Sequence, residues 1–229
     1  MQVDGVLFDK DGTLFDFAAT WNVWAANAIT DFADGDPALE KRLADALAFD
    51  LQAGSFLPES FVIAGTNREA AEAVADAMGH SDVAAIELKL MQDAAGAPLV
   101  PAVPLRPFLS ALSARKLRLG VMTNDSEFSA RAQLNGVGIE EMFDFVAGFD
   151  SGYGAKPDPS PLLAFADQMQ IDPARVVMVG DSTHDLIAGR RAGMQTIAVL
   201  TGMAGTADLA PYADVVLPDI GHIETWLNT

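Results

Sequence analysis

The chain has 229 residues, half of them hydrophobic and a fifth charged, proportions typical of a folded protein with a sizeable core. Its formal net charge of -18 argues against partners that need positive charge, namely nucleic acid and anionic membrane surfaces. The sequence has no cysteine, which excludes disulfides and thiolate chemistry, and it has no signal peptide or apolar run of about 20 residues, so we expect a cytoplasmic protein.

The first predicted element is a buried strand that ends in acidic residues. The apolar run VLF at 6–8 leads straight into DKDGT at 9–13. Two carboxylates one residue apart at the end of a buried strand cost stability unless a positive group binds there. The segment therefore predicts a bound cation or a cationic side chain beside Asp9 and Asp11.

Residues 18–98 favour helices and contain no convincing strand. Their segments are rich in Ala, Leu and Glu, which are strong helix formers. These segments are WNVWAANAITDFADG, PALEKRLADALAFDL, NREAAEAVADAMG and DVAAIELKLMQDAAG. The proline-rich GAPLVPAVPLRP at 96–107 then predicts an extended linker, since proline blocks helix continuation. We therefore expect an all-helical cap at 18–98, inserted into a core formed by residues 1–17 and 99–229.

From about residue 105 onward, strand-like and helix-like segments alternate. The predicted strands are short, apolar and bounded by Gly, Asp or Pro. They are RLGVMTND, FDFVAGFD, RVVMVGDS, QTIAVLTG and ADVVLP. The helix-like segments between them are SEFSARAQLNGVG, SPLLAFADQMQ and THDLIAGRRAGM. Apolar strands that alternate with helices predict an α/β fold, a Rossmann-like doubly wound parallel sheet with helices on both faces.

Polar side chains recur just past the ends of these strands, where ligands bind in open parallel sheets. They are Asp9, Asp11, Thr123, Asn124, Asp125, Asp150 and Asp181. Asp185 follows Asp181 by four residues, near the start of the next helix, so both carboxylates can face one cation. An acidic helix cap is the alternative interpretation of that pair, and a hairpin turn is the alternative for DKDGT.

Other ligand-binding motifs are missing from the sequence. DKDGT does not fit a calcium loop, because Gly12 falls at the fourth position instead of the sixth. Neither GxxxxGK[ST] nor GxGxxG occurs, and the three histidines lack metal-ligand spacing.

Four segments together resemble the haloacid-dehalogenase-like hydrolase superfamily. They are DKDGT at 9–13, VMTND at 121–125, AKPDPSP at 155–161 and GDSTHDLIAGRRAGM at 180–194. Their order, and their places after strands, resemble the superfamily over the whole α/β core. The last segment and the helical insertion look most like the phosphoglycolate-phosphatase-like branch. The resemblance implies a phosphoric monoester hydrolase.

The resemblance also implies the chemistry of the two first carboxylates. Asp9 would be the nucleophile that attacks phosphorus and forms an aspartyl-phosphate. Asp11 would protonate the leaving alkoxide and then deprotonate the hydrolytic water. An Asp at this second place marks phosphoryl transfer in the family, whereas a dehalogenase would be expected to lack it.

A Mg²⁺ cofactor is implied as well, because the candidate ligands are all oxygen atoms. The resemblance assigns it the carboxylates of Asp9 and Asp181 and the backbone carbonyl of Asp11. Asp185 would be a further ligand or would lie just outside the metal's ligand shell.

Two further segments would bind the phosphoryl group. Thr123 would donate a hydrogen bond to one of its oxygens, helped by the backbone N–H at Asn124. Lys156 would neutralise charge on the phosphoryl group and on Asp9. Four carboxylates can then converge because metal, lysine and phosphate balance their charges.

Basic residues are sparse in the predicted cap, which favours a small phosphate ester over a polyphosphate. They are Lys41, Arg42, Arg68 and Lys89. Arg68 is the candidate for binding a substrate carboxylate, and a salt bridge to Glu72 one helical turn later is the alternative. Trp21 and Trp24 either pack in the cap or line the substrate pocket.

Several functions remain open beside a phosphatase for a phosphoglycolate-like ester. A sugar phosphomutase of this branch would typically carry His just after Asp16, where the sequence reads FAATWNVW. A nucleotidase, a pyrophosphatase, a phosphonatase, a phosphoprotein phosphatase and a non-catalytic binding module are further alternatives. We expect a monomer or a homodimer.

Overall fold

The computed structural model describes residues 2–79 and 82–228. The strands are β1 (Gly5–Phe8), β2 (Phe49–Asp50), β3 (Ser55–Phe56), β4 (Arg118–Met122), β5 (Phe145–Ala147), β6 (Val176–Gly180), β7 (Gln195–Val199) and β8 (Val215–Leu217). The helices are α1 (Phe17–Ala33), α2 (Pro37–Leu47), α3 (Asn67–Met78), α4 (Val83–Ala95), α5 (Leu105–Ala114), α6 (Glu127–Gly136), α7 (Ser160–Met169), α8 (Thr183–Arg191), α9 (Thr206–Leu209) and α10 (Ile223–Trp226). Within these two ranges, no helix is both long and apolar enough to cross a membrane.

Six strands form one parallel sheet in the order β5-β4-β1-β6-β7-β8. If the short β2 and β3 are set aside, this is the Rossmann order 3-2-1-4-5-6. The central strand β1 pairs on both sides, so that Leu7 lies between Gly120 of β4 and Met178 of β6. The order in which successive strands join the sheet reverses between β1 and β6, and in such sheets a crevice opens there at the carboxyl ends of the strands. The predicted fold class is confirmed, and all six predicted core strands form.

Side chains of β1 alternate between two apolar clusters, one on each face of the sheet. Val6 and Phe8 pack in a cluster with residues of α5 and α6, including Leu109. Leu7 packs on the opposite face with residues of α7 and α8, including Phe165. Each fully buried side chain of this size contributes roughly 1.5–3 kcal/mol, so the sheet is held rigidly between two helical layers.

The inserted segment buries an apolar cluster of its own. Side chains of α1, α2, α3 and α4 form it, among them Trp24, Leu43 and Leu90. Asp16 begins the segment by accepting a hydrogen bond from the backbone N–H of Ala19, the N-cap of α1. Because this cluster runs from α1 to the end of α4, we retain residues 18–98 as the proposed cap.

Two local predictions were wrong. A small antiparallel hairpin, β2 paired with β3, lies in the predicted all-helical segment. Its two-residue strands are too short to give a sequence pattern, and Asp50 closes the turn by accepting hydrogen bonds from the N–H groups of Gln52 and Ala53. The predicted linker at 96–107 also ends early, because α5 starts at Leu105. Pro107 is tolerated there because N–H groups in the first helical turn have no partner within the helix.

Candidate active site

A pocket lies between the carboxyl edge of the sheet and the inserted segment. Seven of the eight predicted site residues line it: Asp9, Asp11, Thr123, Asn124, Lys156, Asp181 and Asp185. All but Lys156 come together because the strands before them, β1, β4 and β6, are neighbours in the sheet. Lys156 lies in the loop between β5 and α7, which hydrogen bonds to Asn124 hold against the end of β4. The inserted segment forms the opposite wall with Phe17, Trp21 and residues 62–67.

Three buried carboxylates and one buried lysine form the centre of the pocket. Oxygen atoms of Asp9, Asp181 and Asp185 all lie within 4.8 Å of one another. The Nζ of Lys156 is 2.5 Å from Oδ1 of Asp9 and 2.6 Å from Oδ1 of Asp185. Three carboxylates and one ammonium leave two negative charges when all are ionised, which is the charge that one divalent cation neutralises.

The pKa values of these groups are shifted by burial and by the closeness of their like charges. Burial, assisted by Asp185 and Asp11, raises the pKa of Asp9 to about 7, although Lys156 opposes the shift. Burial raises the pKa of Asp181 well above its ordinary value, and Asp9 adds to that shift. Burial would lower the pKa of Lys156, but Asp185 and Asp9 more than offset it, so Lys156 remains charged. The cluster is therefore under electrostatic strain that a bound cation would relieve.

Asp185 has two functions at once. The N–H and the hydroxyl of Ser182 donate to its Oδ2 at 3.0 and 2.6 Å, and together they cap α8. Its Oδ1 is thereby directed toward Lys156. The helix cap that was the alternative interpretation of this pair is present, and it orients a carboxylate of the cluster.

The carboxylate of Asp181 lies in a close-fitting cradle formed by two glycine loops. Oδ1 of Asp181 accepts a hydrogen bond from Oγ1 of Thr13 at 3.3 Å. Its Oδ2 lies where a Cβ at Gly12 or Gly202 would overlap it, and Gly12 also has a φ of 80°. A hydrogen bond of 2.6 Å from Thr201 to the carbonyl of Gly12 holds the two loops together. An all-oxygen donor set in a cradle that only glycine permits fits Mg²⁺.

We expect Gly202→Ala to weaken Mg²⁺ binding roughly 10- to 100-fold, because the added methyl displaces the carboxylate of Asp181. Isothermal titration calorimetry measures this affinity without turnover. Gly205→Ala in the same loop is the matched control, because its Cβ would lie 3.6 Å from Asp208, an ordinary contact. Equal Mg²⁺ affinity in both variants would contradict the proposed position of the metal.

Thr123 and Asn124, the two polar residues that follow β4, have different environments. Oγ1 of Thr123 accepts a hydrogen bond from the N–H of Asp125 at 3.1 Å, which leaves the hydroxyl proton for a ligand. Both polar atoms of the side-chain amide of Asn124 have hydrogen-bond partners. Its Oδ1 accepts from the N–H of Lys156, and its Nδ2 donates to the carbonyls of Lys156 and Ala64. Asn124 therefore holds the loop that carries Lys156 in place, and only its backbone N–H can serve a phosphoryl group.

Arg68, the sequence-based candidate for binding a substrate carboxylate, lies on the surface of the inserted segment. Arg68 does not line the pocket; its side chain is 46% exposed, and its guanidinium pairs with Glu72 at 2.8 Å and Glu87 at 3.0 Å. Its neighbour Asn67 faces the core instead, where Nδ2 donates to Oδ1 of Asp125 at 2.7 Å. The spacing of Arg68 and Glu72, one turn apart, was the signal for the surface pair.

Three parts of the pocket wall were left open or were not assigned from the sequence. Trp21 lines the pocket, whereas Trp24 packs in the inserted segment and donates to the carbonyl of Leu90. His184 also lines it, with Nδ1 3.0 Å from the carbonyl of Ala64. The loop at 62–67 carries no charged side chain, so no sequence pattern marked it as a pocket wall.

The fold and this cluster define an α/β protein with a buried acidic cluster beneath an inserted helical segment, and the cluster could hold a metal ion. A profile of the haloacid dehalogenase-like hydrolases matches residues 3–193. A phosphoglycolate phosphatase of Rhodospirillum rubrum is 32% identical over 226 residues, 97% of this chain and 90% of that protein. An N-acetylmuramic acid 6-phosphate phosphatase of Pseudomonas aeruginosa is 28% identical over 95% of this chain and 91% of its own length.

A crystal structure of a predicted phosphoglycolate phosphatase from Haemophilus somnus has the same fold. It superposes with a TM-score of 0.74 over 99% of each chain, at 20% identity. The chain therefore belongs to the haloacid dehalogenase-like hydrolases, in their phosphoglycolate-phosphatase-like branch. The predicted family, branch and class of enzyme, a phosphatase, are confirmed.

Proposed function

We propose that the protein is a Mg²⁺-dependent phosphatase that hydrolyses a small phosphomonoester through an aspartyl-phosphate on Asp9. The observation that carries the proposal is the position of Asp9, buried at the end of β1, 2.5 Å from Lys156 and beside Asp181 and Asp185. A nucleophile that must approach a phosphate dianion needs such compensation, since two anions otherwise repel.

The reaction we propose has two steps. In the first, a carboxylate oxygen of Asp9 attacks phosphorus, the bond from phosphorus to the ester oxygen breaks, and Asp11 gives its proton to that oxygen. In the second, Asp11 takes a proton from water, whose oxygen attacks phosphorus and releases Asp9 and phosphate. Thr123 and Lys156 bind the phosphoryl oxygens in both steps. Mg²⁺, held by Asp9, Asp181 and the carbonyl of Asp11 with Asp185 close by, would supply positive charge for the developing anion.

The proposed substrate is a small ester of the phosphoglycolate type. The full-length relatives carry names that specify two different phosphate esters, so the substrate of this chain rests on its own pocket. Among the pocket-lining side chains in the described part of the chain, Lys156 and His184 are the ones that can carry positive charge. Two such side chains suit a substrate with one phosphoryl group and at most one further anionic group, and they disfavour a polyphosphate.

Arg68→Ala should leave the KM for carboxylate-bearing phosphate esters within twofold of the parent. Arg68 is exposed and pairs with Glu72 and Glu87, so its removal changes only two surface ion pairs outside the pocket, and such pairs contribute little. Steady-state kinetics with phosphoglycolate and with a neutral alkyl phosphate provide the comparison. A KM raised tenfold for phosphoglycolate alone would place Arg68 in the binding site after all.

The direct test of the proposed function is phosphate release from a panel of phosphomonoesters. Phosphoglycolate, sugar phosphates, nucleotides and pyrophosphate should be compared with Mg²⁺ and with EDTA. Turnover that requires Mg²⁺ and is fastest with small monoesters supports the proposal. Preferential hydrolysis of pyrophosphate or of nucleotides would show that the substrate belongs to a different class, and metal-independent turnover would overturn the proposed mechanism.

A further inference from the structure

A fully buried lysine, Lys10, lies behind the pocket and takes no part in the reaction proposed above. Its Nζ is 2.8 Å from Oδ2 of Asp11 and 3.1 Å from Oδ2 of Asp125, and it donates a hydrogen bond to Oε1 of Gln133. The ammonium also lies 5.5 Å from the ring centroid of Trp21. A buried ammonium is costly unless such partners surround it, so Lys10 is held in one position.

Apart from Asp11, each of these partners either belongs to the inserted segment or is hydrogen-bonded to it. Oδ1 of Asp125 accepts a hydrogen bond from Nδ2 of Asn67, the first residue of α3. Nε2 of Gln133 donates at 2.7 Å to the carbonyl of Ala94 in α4. Trp21 belongs to α1 itself. Three helices of the inserted segment thus reach Lys10 through one intervening side chain or directly.

We propose that Lys10 is a positioning residue that fixes the carboxylate of Asp11 only while the inserted segment is seated on the core. The inference rests on the proposed function, because it assigns Asp11 the proton transfer. When the segment is in place, Asn67 and Ala94 restrict Asp125 and Gln133, and these two residues restrict Lys10. Lys10 then holds Asp11 through both carboxylate oxygens, at 3.0 and 2.8 Å. Proton donation is thereby tied to a covered pocket, where bulk water does not compete.

The test uses esters that differ in their need for a proton. An alkyl phosphate leaves as a strongly basic alkoxide and needs Asp11 as an acid, whereas p-nitrophenyl phosphate leaves as a weakly basic phenolate and does not. In single-turnover measurements of ester cleavage, Lys10→Met should slow the alkyl ester about 10²-fold and the aryl ester only a few-fold. Equal losses on both esters, or no loss, would overturn the inference, since a purely structural role affects both alike.

Asn67→Ala is a second test of the inference, and it leaves the buried charges of Lys10, Asp11 and Asp125 paired. It removes the link from α3, so we expect the same selective loss on the alkyl ester, about tenfold, with normal thermal unfolding. If Lys10→Met does not fold, this variant decides the question. Arg68→Ala, one residue further along α3 and exposed, is the matched control and should lose nothing on either ester.

The wild-type enzyme separates this inference from the function on which it rests. Mg²⁺-dependent cleavage of both esters by the wild type supports the proposed function whatever the variants do. If the wild type cleaves neither ester, the proposed function fails and the role of Lys10 fails with it.

Discussion

Asp9→Asn should lower phosphate-ester hydrolysis on the order of 10⁴-fold or more, because a neutral amide cannot form the covalent intermediate. The fold should survive. The pKa of Asp9 is raised from 3.8 to about 7, so between about pH 4 and pH 7 the metal-free native state binds a proton that the unfolded chain does not. The parent therefore loses stability as pH rises through that window, and the variant should lose less.

Two measurements check this result: phosphate release with Mg²⁺, and the free energy of unfolding in EDTA at several pH values. Asp167→Asn, on the exposed surface of α7, is the control for replacing an aspartate as such and should match the parent in both. Turnover in Asp9→Asn above a tenth of the parent rate would identify a different nucleophile. An unchanged slope of stability against pH would contradict the raised pKa.

Lys156→Met should affect both stability and activity. It removes the cation that lies 2.5 Å from Asp9 and 2.6 Å from Asp185, which leaves buried carboxylates without compensation. Breaking a buried ion pair from one side costs about 3–5 kcal/mol, so the free energy of unfolding in EDTA should fall by that amount near neutral pH. Mg²⁺ should restore part of it by binding the native state. Turnover should fall at least about 10²-fold, because a charge contact to the phosphoryl group is lost.

Lys41→Met separates this effect from the loss of a lysine in general. Lys41 pairs with Asp45 at 2.6 Å on the exposed surface of α2, where such pairs contribute less than about 1 kcal/mol. Denaturant unfolding of the two variants should therefore differ by at least about 2 kcal/mol. Equal destabilisation would show that the three carboxylates are balanced by something other than Lys156.

The sheet could be predicted because its strands are short apolar runs that end at polar residues. Once the order of the strands is known, the meeting of Asp9, Thr123 and Asp181 follows, since each comes directly after one of three adjacent strands. Lys156 is different: no strand ends at it, and Asn124 holds its loop by two hydrogen bonds to main-chain atoms of Lys156. Its place was inferred from family resemblance, and the local pattern alone would not have given it.

The inserted segment was harder to predict because its decisive contacts are distant in sequence. The hydrogen bond from Asn67 to Asp125 joins residues 58 positions apart. The burial of Lys10 depends on Gln133, 123 positions away. The sequence places Lys10 between two acidic residues but carries no pattern that indicates its burial. Contacts between residues so far apart in sequence produce no periodic pattern, so the walls of the pocket could be identified only from the folded structure.

The apolar cluster enclosed by α1 to α4 has an evolutionary consequence. The segment meets the core through hydrogen bonds such as those from His184 and Asn124 to the carbonyl of Ala64, and a main-chain carbonyl is present whatever the side chain. Substitutions inside this apolar cluster that leave Trp21 and Asn67 in place can therefore accumulate without disturbing the carboxylates of the pocket. Natural selection can change what the enzyme admits while leaving untouched the chemistry it performs.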